Sequence, residues 1–112
     1  MRIALAQINT VVGDLDGNRA HILETLRKAE AGGADLVCFP ELSLSGYPPE
    51  DLLLERAFLE DCADYLARLA REVGDTVVLV GTPWLAEDIF NAAAVLYRGG
   101  VAAVYRKNFL PN

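Results

Sequence analysis

The sequence predicts an α/β chain in the order β-α-β-α-β-β-β, with a mixed or parallel sheet and helices over at least one face. Three observations predict it. Short β-rich apolar runs alternate with two long amphipathic segments, glycine or proline follows most elements, and two closing β-rich runs flank an Arg-Gly-Gly turn. A composition that is 53% hydrophobic suits a chain buried on more than one face.

Taken in order, Arg2 to Ile8 is a short apolar strand, ended by Asn9-Thr10 and Gly13-Asp14. Leu15 to Ala31 carries Ile22, Leu26 and Ala29 at helical spacing and stops at Gly32-Gly33. Asp35 to Phe39 is almost wholly apolar, the pattern of a strand covered on both faces, and Pro40 ends its ladder. A Ser-, Gly- and Pro-rich loop, Glu41 to Pro49, follows. Arg56 to Val73 sets Phe58, Cys62, Tyr65, Leu66, Leu69 and Val73 on one helical face, with Glu60, Asp61, Asp64, Arg68 and Arg71 opposite. Thr76 to Val80 reads as a third buried strand. Ile89 to Tyr97 and Val101 to Arg106 read as a hairpin across Arg98-Gly99-Gly100.

The formal net charge is −6 and both halves are acidic. With no basic stripe, DNA or RNA has no electrostatic footing, so a small molecule or a protein is the expected partner. No apolar run reaches the roughly 18 residues of a membrane helix, and the N-terminal apolar stretch is too short for a signal peptide. Cys38 and Cys62 lack metal-type spacing and read as free core thiols of a cytoplasmic protein. His21 stands alone on the first helix, so no Ser-His or Cys-His pair forms around it. The glycines of Val11 to Asn18 match neither phosphate-loop pattern and read as a turn plus helix cap, leaving no evident ATP or dinucleotide site.

Two residues carry candidate chemistry. Glu41 follows a buried strand, where the loops of α/β sheets converge. Among apolar neighbours its pKa is expected to rise, which suits a general base; the plainer reading is a strand-end acid that caps a turn or faces water. Lys107 ends the fifth strand and is placed to stabilise an oxyanion, or is simply a solvated surface group. Arg106 should point to the opposite face. Cys38, three residues before Glu41, is expected on the other side of its strand and so is badly placed as a nucleophile for it.

These pieces together resemble the nitrilase (carbon–nitrogen hydrolase) superfamily. The matching residues are Ile3-Ala4-Leu5-Ala6-Gln7, Gly17-Asn18, Phe39-Pro40-Glu41, Tyr105-Arg106-Lys107 and Leu110-Pro111, in order along the whole chain. Within that family, Leu44 to Leu53 and Gln7 to Leu15 look most like the glutaminase domain of glutamine-dependent NAD synthetases. The resemblance implies a four-layer αββα sandwich and a Glu-Lys-Cys triad. Glu41 matches the general base, Lys107 the cation stabilising the tetrahedral intermediate, and Tyr47 a residue of the pocket wall or an aromatic packed beside a loop proline. It further implies glutamine as small-molecule substrate, ammonia passed to an ATP- and Mg-using synthetase domain, and a cytoplasmic, homo-oligomeric parent.

In the family the nucleophilic cysteine follows the Tyr-Arg-Lys motif, and no such residue follows Lys107 here. The chain therefore reads as the N-terminal part of the glutaminase domain, with the rest of that domain, the synthetase domain and their cofactors absent. By itself it is expected to show no glutaminase activity, and to self-associate through an open strand edge and an uncovered apolar face. The competing readings are another nitrilase-type amidase or carbamoylase acting on a small amide, and a non-catalytic partner-binding module.

Overall fold

A computed structural model describes residues 1–46 and 55–109. Its elements are β1 (Ile3–Leu5), α1 (Leu15–Ala31), β2 (Leu36–Cys38), α2 (Arg56–Arg71), β3 (Val77–Leu85), β4 (Ile89–Tyr97) and β5 (Gly100–Phe109). The predicted order holds. One five-stranded sheet runs β1-β2-β3-β4-β5, parallel from β1 to β3 and antiparallel from β3 to β5. α1 and α2 are the crossovers of two successive parallel connections that step the same way across the sheet. Right-handed crossovers then place both helices on one face.

That face holds the core. Ile22 and Leu26 of α1 and Cys62, Leu66 and Leu69 of α2 pack on Val37, Val78, Val80, Ala94 and Leu96 of the sheet. Leu59 and Ala70 also sink below the surface of α2, widening the apolar stripe beyond the six positions expected for it. Tyr65 stays at the rim of the stripe, where its hydroxyl donates to Asp16 Oδ1 at 2.7 Å.

The expectation that β2 is covered on both faces is corrected, and β3, read as buried, is open on the same side. Leu36, Cys38, Val77 and Leu79 are only half-buried on the face away from the helices, and on β1 Ile3 is 53% and Leu5 77% exposed. Both helices lie on one side, so only that side is sealed by the described residues. Cys38 accordingly sits outside the core that Cys62 joins.

Element lengths differ from the sequence reading where pairing overrides composition. β3 runs on through Gly81, Thr82 and Pro83 because β4 pairs with it as far as Leu85. Pro83 is tolerated because β2 pairs with β3 only as far as Leu79, so the missing N–H interrupts no ladder on that side. β1 is shorter than expected, with Ala6 making one further backbone bond, N–H to the Cys38 carbonyl at 2.9 Å. At the hairpin, Arg98 (φ 46°) and Gly99 (φ 82°) both lie in the left-handed region, the type I′ geometry that matches strand twist. Arg98 is anchored there by Asp75, 2.9 Å away.

Candidate active site

Beyond β2 the chain turns sharply. Phe39 N–H still bonds the Leu79 carbonyl at 2.8 Å, Pro40 ends the ladder, and Glu41 follows. Leu42 has φ 49°, an uncommon conformation for a large side chain, and is held by its complete burial. The turn is tied on three sides. Leu44 N–H donates to the Gly81 carbonyl at 3.1 Å, and Gly13 N–H to the Ser45 carbonyl at 2.9 Å. The buried Asn18 amide donates to the Leu44 carbonyl at 3.0 Å while pairing with both backbone groups of Val11. Gly81 permits the close approach, since a Cβ there would collide with Leu42 N, the Pro40 carbonyl and Glu41 C.

Lys107 arrives from β5 by a different device. The register passes from Asn91↔Asn108 to Ala92↔Arg106, leaving Lys107 as the extra residue of a β-bulge. In a regular strand Arg106 and Asn108 would share a face. The bulge separates them: Arg106 stacks over the Phe90 ring at 4.9 Å and pairs with Glu87 at 2.8 Å. Lys107 and Asn108 both turn toward Glu41 and Asn91, on the face away from the helices. Bulges recur beside active sites because they re-aim side chains in this way.

The two sequence-predicted candidates therefore meet. Lys107 Nζ donates to Glu41 Oε1 at 2.6 Å, and Asn91 Nδ2 donates to Glu41 Oε2 at 2.9 Å. They border a pocket of about 60 Å³ whose walls also include Phe39, Leu79, Gly81 and Ala93. The third candidate, Tyr47, lies outside the described residues, as does the Leu110-Pro111 pair of the family resemblance.

The expected rise in the Glu41 pKa is reversed. Its side chain is 52% exposed, so desolvation is weak. The hydrogen bond from Lys107, then that from Asn91, then the Lys107 charge hold the carboxyl below its ordinary value of 4.5. Glu41 is thus a carboxylate at neutral pH, able to accept a proton. Neither cysteine belongs to the pocket wall. The Cys62 thiol is pushed up to about 12 by burial and by the Asp61 charge, which makes it inert near neutral pH.

Asn91 is the participant that sequence reading missed. Its signal was a lone amide in the apolar run Ile89-Phe90-Asn91-Ala92-Ala93-Ala94. A buried polar group at such a position requires a partner. Among the described residues, no group of three or more His, Cys, Asp or Glu side chains could hold a metal ion, and no helix is long and apolar enough to cross a membrane.

Comparison with known proteins shows the family of the chain. The family model described as carbon-nitrogen hydrolase matches residues 2–112. The chain belongs to the carbon–nitrogen hydrolase family. Its relatives in that family include glutamine-dependent NAD(+) synthetases. That of Thermotoga maritima is 49% identical and that of Aquifex aeolicus 43%, each over 100% of this chain and 20% of the relative. This carbon–nitrogen hydrolase chain thus spans about a fifth of the length of the curated relatives it matches.

Solved structures give the same family picture. A glutamine-dependent NAD(+) synthetase from Cytophaga hutchinsonii superposes with TM-score 0.91 at 30% identity, over 100% of this chain and 20% of its own. The Acinetobacter baumannii enzyme, solved with ADP, gives 0.88 at 38%, over 98% of this chain and 21% of its own. An amidase from Nesterenkonia sp. gives 0.81 at 25%, over 100% of this chain and 48% of its own.

Proposed function

We propose that this chain is the N-terminal part of the glutaminase domain of a glutamine-dependent NAD synthetase, and that it supplies the base and the cation of the amide-hydrolysing site. The observation that carries the reading is the 2.6 Å contact between Lys107 and Glu41 in a pocket, reached from separate strands by a tight loop and a bulge. The whole-chain likeness to NAD(+) synthetases supports the choice of reaction.

In this reading a cysteine from a later part of the parent attacks the glutamine carboxamide. Glu41 takes the thiol proton, and Lys107 faces the oxyanion of the tetrahedral intermediate. An ammonium has three donors, of which the Glu41 contact uses one. Collapse of the intermediate breaks the C–N bond, ammonia leaves with the proton held by Glu41, and a thioester remains. Glu41 then deprotonates a water that attacks the thioester; the C–S bond breaks, the cysteine sulfur takes the proton back from Glu41, and glutamate is released.

The ammonia would serve an ATP-dependent amidation of deamido-NAD elsewhere in the parent. ATP and Mg²⁺ belong to that synthetase portion and not to these residues. Tyr47 is assigned to the wall of the glutamine pocket. The proposal includes a cytoplasmic, homo-oligomeric parent, as the family resemblance leads one to expect.

The likeness to the Nesterenkonia amidase supplies a second reading, hydrolysis of a simple free amide. Ammonia release by the full-length parent separates the two. The first reading expects release from glutamine, coupled to NAD formation. Release from short aliphatic amides in preference to glutamine would favour the second.

A further inference from the structure

Asn91 lies on β4, is 4% exposed, and stands opposite Pro83 on one side and Asn108 on the other. Its Nδ2 donates to Glu41 Oε2 at 2.9 Å and to Asn108 Oδ1 at 3.3 Å. Its Oδ1 is buried and meets no donor among the described residues. A carboxylate only accepts hydrogen bonds, so the amide nitrogen must be the atom that faces Glu41. The amide is therefore oriented by Glu41 and not by the demands of its own acceptor. A leucine, branched at the same carbon, would bury no unpaired oxygen there.

We propose that Asn91 is a positioning residue for Glu41, fixing the plane of the carboxylate so that its remaining lone pair points into the pocket. This rests on the glutamine-hydrolysis reading above. Glu41 is half-exposed at the end of a flexible side chain, and Lys107 reaches Oε1 on a longer, flexible stem of its own. Those two tethers leave the carboxylate free to rotate about the Oε1 contact. Asn91 is short, buried and mounted on the central antiparallel strand, and it holds the other oxygen. Two-point fixation turns a mobile acid into an oriented base. The same bond also helps keep Glu41 ionised, second only to the Lys107 hydrogen bond.

The test uses the full-length parent and compares Asn91→Leu, Asn91→Asp and Asn91→Ser with the unmodified protein. The pH dependence of kcat/KM for glutamine is measured, with ammonia-supported NAD formation reporting folding. For Asn91→Leu, kcat is expected to fall about tenfold with KM nearly unchanged. The acidic limb should move to higher pH, because a hydrogen bond to the charged form is gone. Asn91→Asp should move the limb further, since a second carboxylate opposes ionisation of the first. If Asn91→Leu also depresses the ammonia-supported reaction, Asn91→Ser reads the same limb with a smaller side chain.

A lowered kcat without movement of the acidic limb would mark Asn91 as merely structural and overturn the proposal. So would unchanged kinetics in every Asn91 variant alongside loss of activity in Glu41→Gln, which would leave the catalytic reading intact. If Glu41→Gln itself hydrolyses glutamine normally, the catalytic reading fails and this inference fails with it.

Discussion

Glu41→Gln in the full-length parent is expected to lower glutamine-dependent NAD formation by about a thousandfold, while ammonia-supported formation continues at its normal rate. Glutamine at position 41 keeps the size of the side chain and removes its capacity to take a proton, and a general base contributes typically about 10²- to 10⁴-fold. Lys107→Met should produce a loss of similar order, because an unneutralised oxyanion is costly in a pocket with apolar walls. The two losses should not add, since members of one catalytic unit fail together. Unfolding is not an alternative cause of the loss. Glu41 is 52% and Lys107 36% exposed, and a pair so accessible to water contributes at most about 1 kcal/mol to stability. Melting temperatures of both variants should therefore lie close to that of the unmodified protein. Wild-type turnover of glutamine by Glu41→Gln would dismiss its role as base.

Gly81→Ala is expected to lower stability by on the order of 3 kcal/mol and to abolish glutamine hydrolysis, although residue 81 contributes no chemistry. The added methyl meets only backbone: Leu42 N, the Pro40 carbonyl and Glu41 C. Backbone cannot rotate aside as a side-chain tip can, so the turn has to lift from β3. Lifting it breaks the Leu44-to-Gly81 hydrogen bond and carries Glu41 away from Lys107 and Asn91. Gly74→Ala is the control, because a Cβ there meets nothing within 4 Å. It should change the denaturation midpoint negligibly, as surface substitutions away from special features do. Equal effects at the two glycines would show that the turn tolerates displacement.

Periodicity made the architecture legible. The helix from Leu15 to Ala31 and the strand from Ile89 to Tyr97 have the bounds read from their apolar spacing and their glycine stops. The site was half legible. Glu41 and Lys107 stand out as charges at the ends of apolar strands, and strand alternation placed Arg106 on the opposite face. Alternation alone could not reveal that Lys107 and Asn108 share a face, because a bulge leaves no mark until the partner strand is known. The direction of the Glu41 pKa is hidden for a related reason: apolar neighbours in sequence imply burial, whereas in space two donors and solvent surround the carboxylate. Asn91 was overlooked because its partner lies 50 residues away. The open second face of β2 is not legible in its apolar run, which records how hydrophobic a strand is and not which layers reach it.

An ionised Glu41 held by Lys107 in one pocket is tested most directly by carbon-13 NMR titration of the Glu41 side-chain carboxyl. A carboxylate stabilised in this way should titrate below the ordinary value of 4.5 and should move upward in Lys107→Met. The stability contributed by the contact is then present above that ordinary value and is lost as the pH falls through the lower folded-state value. A Glu41 that titrates at or above 4.5, with no response to Lys107→Met, would contradict the account.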